Sequence, residues 1–235
     1  PVRASAAGGG MPPAFRYLIP YGAASAANWI ACYANRHMHD YGTTREQLGA
    51  VAINARNHAA SNPKAIYTEP MTMEDYLEAR LVSEPFGLYD CDVPCDGSTA
   101  VVVSHRDHAG DAPEVPIQVN ALGTAHRGRP SWDQFDDLTT MGMRDSAASL
   151  WGRTELTPED VDTAQLYDGF SWLTLAWIEA MGFCPRGEGG PFVEDGTRIA
   201  HGGALPLNTW GGQLSGGRLH GFGFLHEAVM QLRGQ

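Results

Sequence analysis

The stretch Ala204-Leu-Pro-Leu-Asn-Thr-Trp-Gly-Gly-Gln-Leu-Ser-Gly-Gly-Arg-Leu-His-Gly-Phe-Gly223 decides the fold of this chain. Its apolar first part, which ends at Asn208, is typical of a strand, and an apolar helical period begins at Phe222. Glycines in the loop between them permit positive φ angles and close approach to the backbone. The candidate cofactor-binding residues are Gly211, Gly212, Gly216 and Gly217. A turn that merely lets the helix pack on its strand would explain the same glycines.

Two basic residues, Arg218 and His220, lie directly before the expected N-terminus of that helix. Free backbone N–H groups at such a position favour an anion or a thioester oxyanion. The ordinary alternatives are that the arginine pairs with a surface carboxylate and that the histidine acts as a cap. The loop is not a phosphate loop, because no Lys-Ser or Lys-Thr follows the glycines, and its spacing differs from the dinucleotide fingerprint.

Residues 163–181 repeat the order of strand, polar residues and helix. The pattern predicts a short strand over residues 163–169 and an apolar helix from Phe170 to Met181, which Gly182 ends. Tyr167 then lies at the carboxyl end of a strand, where a helix N-terminus stabilises phenolate and favours proton transfer. The alternative is a core-edge tyrosine whose hydroxyl bonds a backbone carbonyl. Sites collect at the carboxyl ends of strands in α/β folds, and both motifs lie at such ends.

The rest of the chain predicts further helices and two more strands. Residues 1–23 show no period and predict a loop. Apolar periods and capping residues predict helices over about 25–39, 43–62, 72–80 and 140–150, and Thr43 with Glu46 forms a capping box at the second. The β-branched runs 100–104 and 116–122 predict buried strands. Helices that alternate with short buried strands indicate an α/β fold with a mainly parallel or mixed sheet.

Composition limits the class of protein. With 235 residues, of which 43% are hydrophobic, the chain can bury a sizeable core. The net charge of -11 argues against nucleic acid or an anionic membrane surface as the main partner. The sequence has no long apolar run, and its N-terminus has no charged segment followed by a hydrophobic one. We therefore expect neither a membrane span nor a secretory signal, and a cytoplasmic location.

The cysteines and histidines do not predict a metal site. The four cysteines are sparse, and Cys91-x-x-x-Cys95 has no second half that would complete a zinc site. His37 and His39 face different ways on a helix. No Gly-x-Ser-x-Gly motif of a hydrolase occurs. We expect no bound metal.

Five motifs in one order resemble the thiolase superfamily. They are Tyr-Gly-Thr-Thr-Arg-Glu-Gln-Leu (41–48), Asn-His-Ala-Ala-Ser-Asn-Pro-Lys-Ala (57–65), Cys-Asp-Val-Pro-Cys-Asp-Gly-Ser-Thr-Ala-Val-Val-Val (91–103), Leu-Tyr-Asp-Gly-Phe-Ser (166–171) and Pro-Leu-Asn-Thr-Trp-Gly-Gly (206–212). More narrowly, they resemble the sterol-carrier or lipid-transfer-type branch. Tyr-Asp-Gly-Phe is similar to the thiolase-like aldolases that cleave β-hydroxyacyl-CoA side chains of steroids, and differs from the Asn-Glu-Ala-Phe or His-Asp-Cys-Phe of working thiolases.

The resemblance implies the layered thiolase fold, in which helices sandwich mixed sheets. Residues 1–90 would form a mainly helical loop domain and residues 91–235 the C-terminal thiolase-like α/β half. The resemblance also implies a homodimer, a coenzyme A thioester as substrate without a tightly bound cofactor, and a small partner protein with an OB-fold and a zinc ribbon. Because the cysteine-bearing N-terminal half and the closing segment of the family have no counterpart here, we expect the fold to be incomplete at both ends.

The activity that the resemblance implies is retro-aldol cleavage of a β-hydroxyacyl-CoA, such as a steroid side-chain CoA ester. The alternatives are a degradative acyl-CoA thiolase and a non-catalytic carrier of lipids or CoA esters. Tyr167 is the expected general acid or base, while Asn208 and His220 would hold a water or the thioester oxygen. Arg218 would offset enolate or phosphate charge, and it is a departure from the family, because thiolases have Gly-His-Pro-x-Gly where this chain has Gly-Arg-Leu-His-Gly (217–221).

Overall fold

The computed structural model describes residues 15–126 and 137–234. Its α-helices are α1 (Phe15–Leu18), α2 (Ala26–Tyr41), α3 (Arg45–Ala59), α4 (Met73–Glu78), α5 (Met143–Trp151), α6 (Ser171–Ala180), α7 (Gly189–Val193) and α8 (Phe222–Leu232). The strands are β1 (Leu81–Ser83) and β2 (Phe86–Gly87), and a π-helical turn spans Gly212–Gly216. Of the loop predicted over residues 1–23, positions 1–14 lie outside the described residues, and the prediction is wrong for Phe15–Leu18 and Ile19–Tyr21, which form α1 and a 3-10 turn.

Helices α3 and α6 form the centre of the core. The run Ser171–Ala180 is apolar on nearly every side, and Trp172, Leu175 and Ile178 are completely buried in it. Such a helix needs neighbours all around, and α6 packs against α3, α5 and α7. Burial of each large apolar side chain contributes roughly 1.5–3 kcal/mol. The helix predicted over 140–150 begins three residues later than expected, at Met143.

The capping box of α3 corrects one detail of the sequence interpretation. Thr44 and Gln47 form the box, not Thr43 and Glu46: Thr44 Oγ1 accepts from Gln47 N at 3.3 Å, and Gln47 Oε1 accepts from Thr44 N at 3.0 Å. Thr43 is buried, and its Oγ1 lies 2.9 Å from Nδ1 of His37. The hydroxyl of Thr43 is therefore engaged across the α2–α3 connection and is not available as a cap.

The prediction of strands over 100–104 and 116–122 was wrong. Neither run is a strand, and Val102 and Val103 are 94% and 80% exposed. Among the described residues no strand pairs with either run. A β-branched run becomes a strand when a neighbour supplies hydrogen bonds and an apolar face, and this surrounding is missing here. The only two-stranded sheet in the described ranges is the antiparallel pair β1–β2, which the sequence did not predict.

The two segments predicted as strands before the motifs form no regular strand, but they do lie side by side in one isolated bridge. Ala164 and Leu207 form a parallel bridge, in which Ala164 N donates to Pro206 O at 3.0 Å and Asn208 N donates to Ala164 O at 3.0 Å. Both segments then turn into helices, α6 and α8, as predicted. In the described part of the chain, no helix is both long enough and apolar enough to cross a bilayer.

Candidate functional site

Three segments meet where the site was predicted: residues 91–95, the turn 167–170 and the loop 208–220. Asp92 N donates to Gly169 O at 3.2 Å, which joins the first segment to the turn. Val93 N donates to Gln213 O at 3.0 Å, and Arg218 N donates to Val93 O at 2.9 Å. The segment 91–95 therefore lies between the two predicted motifs and is hydrogen-bonded to both.

Asn208 links the two bridged segments, 164–166 and 206–208, with its side chain. Its Nδ2 donates to Leu166 O at 2.9 Å, and its Oδ1 accepts from Leu166 N at 2.8 Å, so the carboxamide replaces a backbone pairing. The residue is 3% exposed and has a φ of 51°, a left-handed conformation that asparagine tolerates better than most residues. Through Leu166, Asn208 therefore positions the next residue, Tyr167.

The four candidate glycines are buried and packed against protein atoms. A Cβ at Gly211 would lie 2.6 Å from the Cβ of Ala59, and one at Gly217 would lie 2.8 Å from Sγ of Cys95. A Cβ at Gly216 would lie 2.6 Å from the ring of Trp210. Packing within the chain thus explains these three glycines, and binding of a ligand group by them stays a prediction.

Gly212 begins the π-helical turn and lies directly against the carboxylate of Asp168. Its φ is +58°, and a Cβ there would collide with Oδ2 of Asp168. Oδ1 of Asp168 accepts from Gln213 N at 2.8 Å. Because this carboxyl group is completely buried, its pKa is raised to about 7. Asp168 therefore fixes the beginning of the turn from inside the protein.

Two buried residues of α3, Arg56 and His58, bond the loop 208–220 and the residue just before it. The sequence analysis did not identify them. Arg56 stacks on the rings of Tyr67 and Tyr89, donates from Nε to Ser215 Oγ at 3.2 Å, and has its pKa lowered by burial. His58 lies 3.0 Å from Leu207 O through Nδ1, and its Nε2 accepts from the backbone N–H of residue 201 at 3.1 Å. Burial lowers the pKa of His58 to about 4, so this ring is neutral and Nδ1 is its donor. A long polar side chain within the apolar period of a helix is the only signal that pointed to them.

Tyr167 is half-buried at the end of its strand segment. Its ring packs on Phe224 of α8, with 6.1 Å between the ring centroids, and covers Gly169, where a Cβ would lie 2.7 Å from the ring. Within residues 15–126 and 137–234, the hydroxyl of Tyr167 has no hydrogen-bond partner. The alternative of a core-edge tyrosine bonded to a backbone carbonyl is thus not what the structure shows.

Arg218 and His220 lie between the π-helical turn and α8, close to Asp92. Nη1 of Arg218 is 3.4 Å from Oδ1 of Asp92, and the two side chains are 39% and 13% exposed. Burial raises the pKa of Asp92, and the positive charges of Arg218 and His220 oppose this shift. His220 is exposed and has a φ of 48°. Asp92 was missed, because it was read only as part of a longer motif.

The three hydrogen-bonded segments carry a phenol at Tyr167, a guanidinium at Arg218 and an imidazole at His220. A phenol can exchange a proton with a substrate hydroxyl, and the two basic groups can stabilise negative charge that develops on an oxygen. Among the described residues, no three His, Cys, Asp or Glu side chains are grouped in a way that could hold a metal ion.

Comparison with known proteins bears on the fold and the relatives of the chain. Residues 123–235 match the family model described as thiolase C-terminal domain-like. A solved structure named Ltp2-ChsH2(DUF35) aldolase superposes with a TM-score of 0.88 and 39% identity, over 94% of this chain and 59% of the other. The predicted thiolase-like fold is therefore confirmed, although the described residues contain few regular strands.

Two curated relatives are similar over nearly the whole thiolase-like chain. The steroid side-chain-cleaving aldolase of Thermomonospora curvata is 39% identical over 94% of this chain and 58% of its own length. The 17-hydroxy-3-oxo-4-pregnene-20-carboxyl-CoA lyase of Mycobacterium tuberculosis is 39% identical over 93% of this chain and 58% of its own length. The chain thus spans less than two thirds of the relatives that it matches.

Proposed function

We propose that this chain is part of a thiolase-like aldolase that cleaves a β-hydroxyacyl-CoA, with a steroid side-chain CoA ester as the substrate class. The observation that carries the proposal is Tyr167, whose ring packs on Phe224 and Gly169 and whose hydroxyl has no hydrogen-bond partner among the described residues. The names of the two 39% identical relatives support it, because both describe cleavage of such molecules. The proposal includes the expectation that coenzyme A enters only as part of the substrate.

The proposed reaction conserves the one proton that it moves. Tyr167 acts as the general base and takes the proton of the substrate's β-hydroxyl while the bond between Cα and Cβ breaks. The hydroxyl-bearing carbon becomes a ketone, and the electron pair of the broken bond forms an enolate of the thioester. Arg218 and His220 stabilise the charge on the thioester oxygen. Transfer of the proton from Tyr167 to Cα releases the shorter acyl-CoA.

The state of two cysteines favours lyase chemistry over thiolysis by this part of the chain. Thiolysis needs a thiolate nucleophile, whereas the reaction above needs no covalent intermediate. Burial raises the pKa of both Cys91 and Cys184 to about 12, so both remain neutral thiols. Degradative thiolase activity therefore remains the second candidate, and a carrier without catalysis remains the third.

Assembly and location are further parts of the proposal. Phe222, Leu225 and Leu232 of α8 are 55%, 54% and 64% exposed, and helical spacing places them on one face. Large apolar side chains in such an arrangement mark a surface that contacts another one. We propose a homodimer that also binds a small OB-fold, zinc-ribbon protein, located in the cytoplasm. The two-component name of the superposed aldolase supports a partner protein.

Product analysis with the full-length protein tests the function. One sample receives a tertiary β-hydroxyacyl-CoA, and a second receives a β-ketoacyl-CoA together with free CoA. We expect a ketone and a shorter acyl-CoA in the first sample and no thiolysis in the second. Thiolysis would reject the aldolase assignment in favour of a thiolase, and binding without turnover of either substrate would support a carrier.

A further inference from the structure

Arg218 is held by a carboxylate from a different segment of the chain. Its Nη1 lies 3.4 Å from Oδ1 of Asp92, a residue 126 positions earlier. Among residues 15–126 and 137–234, the side chain of Arg218 has no other ion pair or hydrogen bond. The orientation of the guanidinium thus depends on this single contact.

The backbone around Asp92 is fixed on both sides. Its own N–H donates to Gly169 O at 3.2 Å. The next residue, Val93, donates to Gln213 O at 3.0 Å and accepts from Arg218 N at 2.9 Å. The carboxylate is 13% exposed, so little space is left for it to move away from the guanidinium. Asp92 therefore holds Arg218 at a defined place relative to the turn that carries Tyr167.

The pairing also changes what Arg218 can bind. A guanidinium has five N–H donors, and contact through Nη1 alone leaves those of Nε and Nη2 uncommitted. Because the nearby carboxylate already offsets the positive charge, the side chain is a poor receptor for the permanent negative charges of a phosphate. It remains a directed donor for one oxygen whose charge grows during a reaction. Of the two roles expected for Arg218, the geometry favours stabilisation of the thioester oxygen over binding of CoA phosphate.

We infer that Asp92 is a positioning residue, which orients Arg218 toward the thioester oxygen of the substrate and does not itself contact the substrate. The inference rests on the proposed aldolase function and deepens it, because it selects one role for Arg218. A carboxylate with a purely structural role would act equally with and without Arg218. A positioning carboxylate loses its effect once Arg218 is removed.

The test is a double-mutant cycle in the full-length protein, with wild type, Asp92→Asn, Arg218→Gln and the double variant. We expect Asp92→Asn to lower kcat for the β-hydroxyacyl-CoA by about 10- to 100-fold, since misplacement of a charge-stabilising donor has effects of this size. The double variant should be no slower than Arg218→Gln alone. Affinity for free CoA, measured by calorimetry, should change by less than about twofold in all four proteins.

Two further variants separate positioning from folding. Asp92→Glu retains the carboxylate and should recover part of the lost kcat. Asp96→Asn removes an exposed carboxylate directly after the segment 91–95 and should leave kcat unchanged. Melting temperatures of all variants show whether each one is folded.

Additive losses in the double variant, or a tenfold loss of CoA affinity in Asp92→Asn, would overturn the inference. If the wild type cleaves no substrate, the proposed function fails separately. The cycle is then decided by affinity for the intact acyl-CoA thioester. There, a coupled effect of Asp92 and Arg218 supports the positioning role, and independent effects reject it.

Discussion

The run 205–207, which leads into the loop 208–217, and the run 100–104 are both short apolar sequences, but only the run 205–207 is buried. Leu207, at the entrance of the loop, is 1% exposed, whereas Val102 is 94% exposed. The loop is fixed by its own Asn208, which pairs with Leu166, and by Arg56 and Asp168, which bond Ser215 and Gln213 of the loop. The run 100–104 has no comparable neighbours among the described residues. The difference shows that surrounding contacts, and not apolar composition, decide which run becomes part of the core.

The largest expected effect concerns Gly212, where the loop meets Asp168. Gly212→Ala combines a positive φ of +58° with a collision against the carboxylate, and we expect it to lower the free energy of unfolding by about 3 kcal/mol or more. Gly196→Ala is the matched control, because its φ of +71° is similar but nothing lies within 4 Å of the added methyl group. This control should lose only about 1–2 kcal/mol. Urea unfolding of the full-length protein measures both, and equal losses would show that the loop is not tightly packed.

A change of pH should have an intermediate effect on the free energy of unfolding, because it titrates His58. Its pKa of about 4 in the folded protein lies below the ordinary value near 6.5, so only the unfolded chain takes up this proton between pH 6.5 and 4. The contribution of neutral His58 to the free energy of unfolding is therefore fully present above pH 6.5 and is lost as the pH falls toward 4. The loss is on the order of 2–3 kcal/mol. The pKa of Asp168, raised to about 7, gives the opposite slope in the same range.

A variant isolates the contribution of His58 from that of Asp168. In His58→Gln the amide retains a donor for Leu207 O and an acceptor for the N–H of residue 201, but it does not titrate. The difference in free energy of unfolding between wild type and His58→Gln should shrink, or change in favour of the variant, as pH falls from 7 to 4. A difference that stays constant over this range would contradict the buried, neutral histidine.

The smallest effect on stability is expected in the run 100–104. Val102→Lys removes an exposed apolar side chain and should change the free energy of unfolding by less than about 0.5 kcal/mol. It should nevertheless reduce self-association of residues 1–235 expressed alone, because this apolar surface is available for contacts. Ser98→Lys adds the same charge at an exposed position and removes no apolar group. Light scattering that shows the same association for both variants would reject the role of Val102.

Local signals made the helices and the order of the motifs predictable. Gly42, with a φ of 75°, ends α2 as expected, and Thr72 caps α4 through Asp75 N. The helices after Tyr167 and His220 also follow from nearby residues alone, whereas the strands predicted before them are reduced to one isolated bridge. The division of the chain at residue 90 was not tested and stays a prediction.

Features that depend on distant residues were not predictable in this way. Thr43 lost its expected capping role because His37 engages its hydroxyl. Arg56 and Asp92 act on Ser215 and Arg218, which are 159 and 126 positions away in the sequence. The prediction of a strand at 100–104 was wrong for the same reason, because a strand needs a partner strand that the sequence of a single run does not reveal.

The central claim is that Tyr167 transfers the proton in cleavage of a β-hydroxyacyl-CoA, and its most direct test is the rate of ketone formation by full-length Tyr167→Phe. Tyr21→Phe, at a tyrosine that is 87% exposed, serves as the control with the same loss of one hydroxyl. We predict that Tyr167→Phe retains its melting temperature and substrate affinity but forms ketone about 10²- to 10⁴-fold more slowly, while the control is unchanged. A Tyr167→Phe protein that forms ketone at nearly the wild-type rate would contradict the account.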